Sequence, residues 1–186
     1  FTVQMKFYSS TYFLSVFIFL ISTHGNAQQK KNTQHTDSTL IGAAIEIMQS
    51  AKTCALVTID DEGRPRVRTM DPFSPEDNLT DWFGTKSSSR KVKQIQENSK
   101  VTVYYADSDD TGYVMIYGIA SIVNDVAEKE KHWKDGWQQF YPDKKNGYVL
   151  IKVSPQWLEV VSYTHGILGD TISWKPPKVV LEDSDN

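Results

Sequence analysis

The residues with chemical potential in this chain are its arginines and one hydroxyl-rich segment. Arg64, Arg66, Arg68 and Arg90 are all the arginines present, and they fall within 27 residues. Arg64, Arg66 and Arg68 are spaced by two, so in a strand they share a face. Three guanidinium groups on one face repel unless an anion sits among them or they reach into solvent. Further on, Thr85-Lys86-Ser87-Ser88-Ser89-Arg90-Lys91 puts hydroxyls and basic groups at a predicted helix start. Free backbone N–H groups and the helix dipole favour a phosphate there. Arginine adds forked hydrogen bonds and lysine a point charge. The competing readings are a solvated strand face and ordinary serine capping. Either segment alone is a weak signal; together they point to a phosphorylated ligand.

These residues need elements to position them. A helix is expected from Asp37 or Ser38 to about Lys52, with Leu40, Ala44, Ile47, Met48 and Ala51 on one face. Strands are expected at Cys54 to Ile59, Arg64 to Met70 and Leu79 to Thr85, the first two joined by an Asp60-Asp61-Glu62-Gly63 hairpin turn. A helix follows from Arg90 to Asn98, then strands at Lys100 to Ala106 and Tyr113 to Val123, the latter bent at Gly118. Asp125 to Phe140 reads as helix, and Tyr148 to Val153 and Leu158 to Ser162 as two strands split by Pro155. A last short strand is expected around Thr171 to Trp174. The sum is a mainly β (α+β) fold, a six- to seven-stranded antiparallel barrel with flanking helices. Helices do not alternate with strands as a doubly wound fold requires.

Composition agrees with a globular domain. The chain has 186 residues, 39% apolar and 23% charged, with a net charge of −3 that argues against a nucleic-acid partner. Its single cysteine, Cys54, permits no internal disulfide and opens an apolar strand, so it reads as core. Residues 1–27 read as a signal peptide: Met5-Lys6, a charge-free run to Ser22, then small residues Gly25 and Ala27 before the cleavage point. The alternative is an uncleaved anchor. Cleavage after Ala27 predicts a secreted or periplasmic protein with no lasting membrane association. Residues 28–37 form a polar leader, 38–166 the barrel domain and 167–186 a tail packed on it.

The segments RPRVRTM, WFGTKSSSRKVKQIQENSKVTVYYAD and YVMIYGIASIV carry a resemblance. They resemble the FMN-binding split barrel of the pyridoxamine 5′-phosphate oxidase-like proteins, in particular the general stress protein branch, over about Ile41 to Tyr163. The resemblance implies a homodimer holding FMN between subunits. It implies that Arg68, Thr69 and Met70 run beside the flavin and its ribityl chain. It implies that Gly84 and Thr85 end the next strand against the cofactor, and that Ser89, Arg90 and Lys91 bind the FMN phosphate. This chain departs from the true oxidase where Phe73 replaces a lysine and Tyr113 a glutamine. The oxidase's arginine-rich C-terminal signature is also missing, since no arginine follows Arg90. The implied function is flavin-dependent oxidoreduction of a small molecule, with no named catalytic residue and no metal. The alternatives are a non-catalytic flavin- or haem-binding or storage module, or a deazaflavin-dependent reductase.

Other constellations are weaker. Asp107, Asp109, Thr111 and Gly112 open like a calcium loop, but Gly118 stands where the closing glutamate belongs. His165 reads as a loop residue. Trp133, Trp137, Phe140 and Tyr141 read as helix packing, with one ring able to cover a flavin edge.

Overall fold

The computed structural model describes residues 35–109 and 111–181. The expected signal, and the leader as far as Gln34, lie outside the described residues. Helix α1 (Asp37–Ser50) starts where the Thr36 hydroxyl accepts the Thr39 N–H, and it buries Leu40, Ala43, Ala44, Ile47 and Met48. These fall at helical spacing, so one stripe goes into the core. The cap sits one residue before the expected one, and Asp37 is already helical.

Seven strands form one antiparallel sheet: β1 (Cys54–Ile59), β2 (Pro65–Met70), β3 (Asp81–Lys86), β4 (Lys100–Ala106), β5 (Gly112–Val123), β6 (Tyr148–Ser162) and β7 (Lys178–Val180). The order is β2-β1-β4-β5-β6-β3, with β7 on the side of β6. The outer strands β2 and β3 meet just beyond the end of β2, where Pro72 bridges to Phe83 and the Phe73 N–H reaches the Trp82 carbonyl at 3.1 Å. Closure at one end only makes a split barrel. Its interior holds Leu56, Phe83, Val103, Tyr105, Ile116, Ile151 and Leu158, packed with the α1 stripe. Burying each large apolar side chain contributes about 1.5–3 kcal/mol. Helix α2 (Arg90–Glu97) buries Val92, Gln94 and Ile95. No helix among the described residues is long and apolar enough to cross a membrane.

Three expectations change. Pro155 does not divide two strands: β6 runs through it, opposite Gly118, with Gln156 as the extra residue of a bulge. A Cβ on Gly118 would lie 2.7 Å from the Ser154 carbonyl oxygen, so glycine is what lets the two backbones approach there. The expected helix from Asp125 to Phe140 is short. Helix α3 (Val126–Lys131) stops at His132, and Gly136 at φ 83° turns the chain into a single 3₁₀ turn at Trp137–Gln139. Glycine takes that left-handed conformation without a Cβ clash. After the turn Trp133 and Trp137 both pack on Tyr148. The tail strand is Lys178–Val180, not Thr171 to Trp174. There the Asp170 carboxylate accepts the N–H groups of Ile172 and Ser173 and folds the segment into a turn.

Candidate functional site

Strand alternation sorts the β2 residues. Met70, Arg68 and Arg66 pair with Cys54, Leu56 and Thr58 on the inward face, while Val67 and Thr69 are exposed on the other. Arg64 precedes the strand and leaves the group: its guanidinium pairs with Asp60 at 3.0 Å and with Glu62 in the hairpin turn. That same turn draws Arg66 to within 3.9 Å of Asp60. Asp60 is held below the usual carboxylate range, chiefly by the Arg64 N–H. The repulsion expected among three arginines is thus relieved by acidic turn residues for two of them. Arg68 is different. It donates to the Thr58 hydroxyl at 2.7 Å and to the Gln94 side-chain oxygen at 3.0 Å, both uncharged.

The α2 start lies at the same place. The Lys91 ammonium donates to the Thr85 hydroxyl at 2.9 Å, and the Thr85 and Ser89 hydroxyls lie 3.3 Å apart. Ser89 occupies the cap position in an extended conformation, yet its side chain makes no capping bond. Its hydroxyl faces Thr85 rather than the helix N–H groups, which removes the ordinary capping explanation for this serine. Burial lowers the Arg68 pKa, with Arg90 and Arg66 adding repulsion; burial also lowers that of Lys91, with Arg68 adding repulsion. Among the described residues no carboxylate forms an ion pair with Arg68, Arg90 or Lys91. Concentrated, partly dehydrated positive charge without an internal counter-ion is electrostatically suited to an anion.

The structure gathers Arg68, Thr85, Ser89, Arg90 and Lys91 and does not bring the other three expected residues into that group. Thr69 is exposed on the outward face, and Met70 is buried in the core. Gly84 lies under the Trp137 ring: a Cβ there would sit 2.3 Å from it. Trp137 belongs to an aromatic group with Phe73, Trp82, Trp133, Tyr141 and Tyr148 on the outer side of β3 and β6.

Two features are not legible in the sequence. Gln94, in the middle of α2, joins Arg68 to Thr58. Asp81 is fully buried in the barrel, where the Tyr105 hydroxyl donates to one carboxylate oxygen at 2.6 Å and the other has no hydrogen-bond partner. Burial pushes Asp81 up to about 7, against the opposing hydrogen bond from Tyr105. The Cys54 thiol beside it rises to about 12, through burial first and Asp81 second. The available signal for Asp81 was its alternation with Phe83 and Thr85.

The outward face of the sheet carries a continuous row in register, Val67–Val57–Thr102–Tyr117–Trp157–Val180. Val67 and Val180 are 66% and 71% exposed, large values for apolar strand residues in an otherwise well-packed sheet. Tyr117 stacks on Trp157, and Tyr104 on Tyr113, along the same face.

Comparison with known proteins agrees with this geometry. A family model described as pyridoxamine 5′-phosphate oxidase like matches residues 41–179. General stress protein 26 from Bacillus anthracis is similar at 26% identity and a TM-score of 0.61, over 76% of this chain and 98% of that one. A protein related to general stress protein 26 from Clostridium acetobutylicum shares the fold at 22% identity and a TM-score of 0.64, over 78% and 96% of the two chains. So does a pyridoxamine 5′-phosphate oxidase-related, FMN-binding protein from Nostoc punctiforme, at 14% identity and a TM-score of 0.58, over 81% and 98%. No protein of curated function matches the chain.

Proposed function

Because the chain belongs to the pyridoxamine 5′-phosphate oxidase-like family, we propose that it binds FMN and uses it in oxidoreduction of a small molecule. The observation that carries this reading is the knot of Lys91, Thr85 and Ser89 beside Arg68 and Arg90, with no carboxylate among the described residues ion-paired to any of these cations. Those groups suit a phosphate: two hydroxyls and an ammonium to donate, and guanidinium groups able to fork onto two oxygens. Arg68, Thr85, Ser89, Arg90 and Lys91 would hold the phosphate. By the family resemblance, Thr69 would run beside the flavin. Bound flavin would supply electron transfer, and the chain would bind, orient and shield it.

In this reading the outward sheet face is where two copies meet, burying Val67, Tyr104, Tyr117, Trp157 and Val180, and the protein works as a homodimer after export and cleavage behind Ala27. The apolar row supports the first part: large exposed apolar patches mark interaction surfaces. True pyridoxamine 5′-phosphate oxidation would need a second phosphate site. Phe73, at the oxidase's lysine position, sits edge-on to His132 and Trp137 instead. Lys175 is a lone point charge. The protein is expected not to turn over pyridoxamine 5′-phosphate.

The test is the absorption spectrum of the purified chain, followed by FMN titration with light scattering. Flavin bands in a particle of two copies support the reading. A Soret band, or no flavin uptake, overturns the cofactor. A stable monomer with FMN bound overturns the shared site.

A further inference from the structure

We propose that Gln94 and Thr58 are positioning residues that hold Arg68 by uncharged groups alone, leaving its full charge for the ligand phosphate. This rests on the phosphate reading above. Arg68, Thr58 and Gln94 come from β2, β1 and α2 and form a closed triangle. The Thr58 hydroxyl gives its one proton to the Gln94 side-chain oxygen at 2.6 Å and accepts from Arg68 at 2.7 Å. The Gln94 oxygen also accepts from Arg68, at 3.0 Å. Thr58 is 0% exposed and Gln94 8%, so water does not compete for these bonds.

A half-buried arginine usually finds a carboxylate, and its neighbours Arg64 and Arg66 do find Asp60. At Arg68 the position that would take a glutamate carries its neutral isostere. A carboxylate there would bind Arg68 more strongly and cancel its field at the α2 start. The amide fixes the guanidinium in place without neutralising it. Because Gln94 lies on the same helix that presents Arg90 and Lys91, the triangle also ties those two to Arg68 across three elements.

The experiment compares FMN with riboflavin, which differ only by the phosphate, on the wild-type chain, Gln94→Glu and Thr58→Val. Circular dichroism and melting temperature establish folding. The FMN-to-riboflavin affinity ratio should fall tenfold or more in Gln94→Glu and several-fold in Thr58→Val, with riboflavin affinity unchanged. A purely structural role would move both flavins together. A ratio that stays at the wild-type value in folded Gln94→Glu overturns the proposal. Should that variant not fold, an unchanged ratio in Thr58→Val does so. A wild-type chain with equal affinity for the two flavins removes the phosphate reading itself, and the positioning role with it.

Discussion

Strand β3 joins two polar regions built on opposite terms. At its end, Thr85 helps hold a set of cations whose polar contacts are all uncharged, and the set opens to the surface at exposed Arg90. At its start, Asp81 is sealed in the barrel with one oxygen bonded to Tyr105 and one bonded to nothing. Both regions place charge-bearing groups where water is scarce. In the first, every buried polar group is paired and the surplus is a net charge that a ligand can neutralise. In the second, the surplus is an unmet hydrogen bond that only a proton can relieve. The difference separates a cluster suited to neutralisation by an anion from a buried group that makes stability depend on pH.

The largest effect should come from emptying the first region. Arg90→Ala with Lys91→Ala removes two charged partners at about 1.5–3 kcal/mol each, so FMN affinity should drop by roughly two orders of magnitude or more in a titration. Arg90 is exposed, and removing half-buried Lys91 costs one bond to Thr85 while relieving repulsion with Arg68, so the melting temperature should move little. Unchanged affinity would erase the distinction between the regions.

The second region should respond to pH. The folded-state pKa of Asp81, about 7, lies above its ordinary value of 3.8. The neutral carboxyl is therefore favoured by folding, and its benefit is complete below the ordinary value and lost as pH rises through 7. Every tenfold gain in proton affinity on folding corresponds to about 1.4 kcal/mol, so up to a few kcal/mol of stability should disappear between acid and neutral pH. Asp81→Asn should flatten that part of the melting-temperature profile. Parallel profiles for variant and wild type would show that Asp81 is not the group responsible.

Gly84 lies between the regions on the same strand. Gly84→Ala drives a Cβ into the Trp137 ring and should cost about 1–3 kcal/mol by overpacking, read as a lower melting temperature. Adding Trp137→Leu should recover part of the loss. The smallest effect is expected from Thr85→Val, which takes one neutral acceptor from Lys91. Losing one such bond, about 1 kcal/mol, should weaken FMN several-fold and leave riboflavin alone.

Much of this was legible in the sequence because it is local. The apolar, partly β-branched run CALVTI and the run KVTVYYA yield β1 and β4 with the bounds they have in the structure, and the serine-rich start of α2 marks where Arg90 and Lys91 stand. What escaped was non-local. Gln94 meets Thr58 across 36 positions of sequence, and nothing in a helical glutamine announces that partner. Pro155 looked like a strand break because its answer, a bulge facing Gly118, sits on another strand. The helix expected through Phe140 gave way to packing on Tyr148, a tertiary preference that overrides local propensity. Asp81 lies inside the strand expected from Leu79 to Thr85, but its burial depends on the barrel closing around it.

Cys54 draws a last consequence from the closed end of the barrel. Its thiol is buried and held at about 12, so at neutral pH thiolate is scarce and no reagent reaches it in the folded chain. Oxidants and foreign thiols in an extracellular space would find nothing to couple with, and two copies would associate without a covalent link. The same protection turns the residue into a clock. A thiol-specific dye added to the native protein should label it only when the barrel opens, so the labelling rate at saturating dye counts opening events directly.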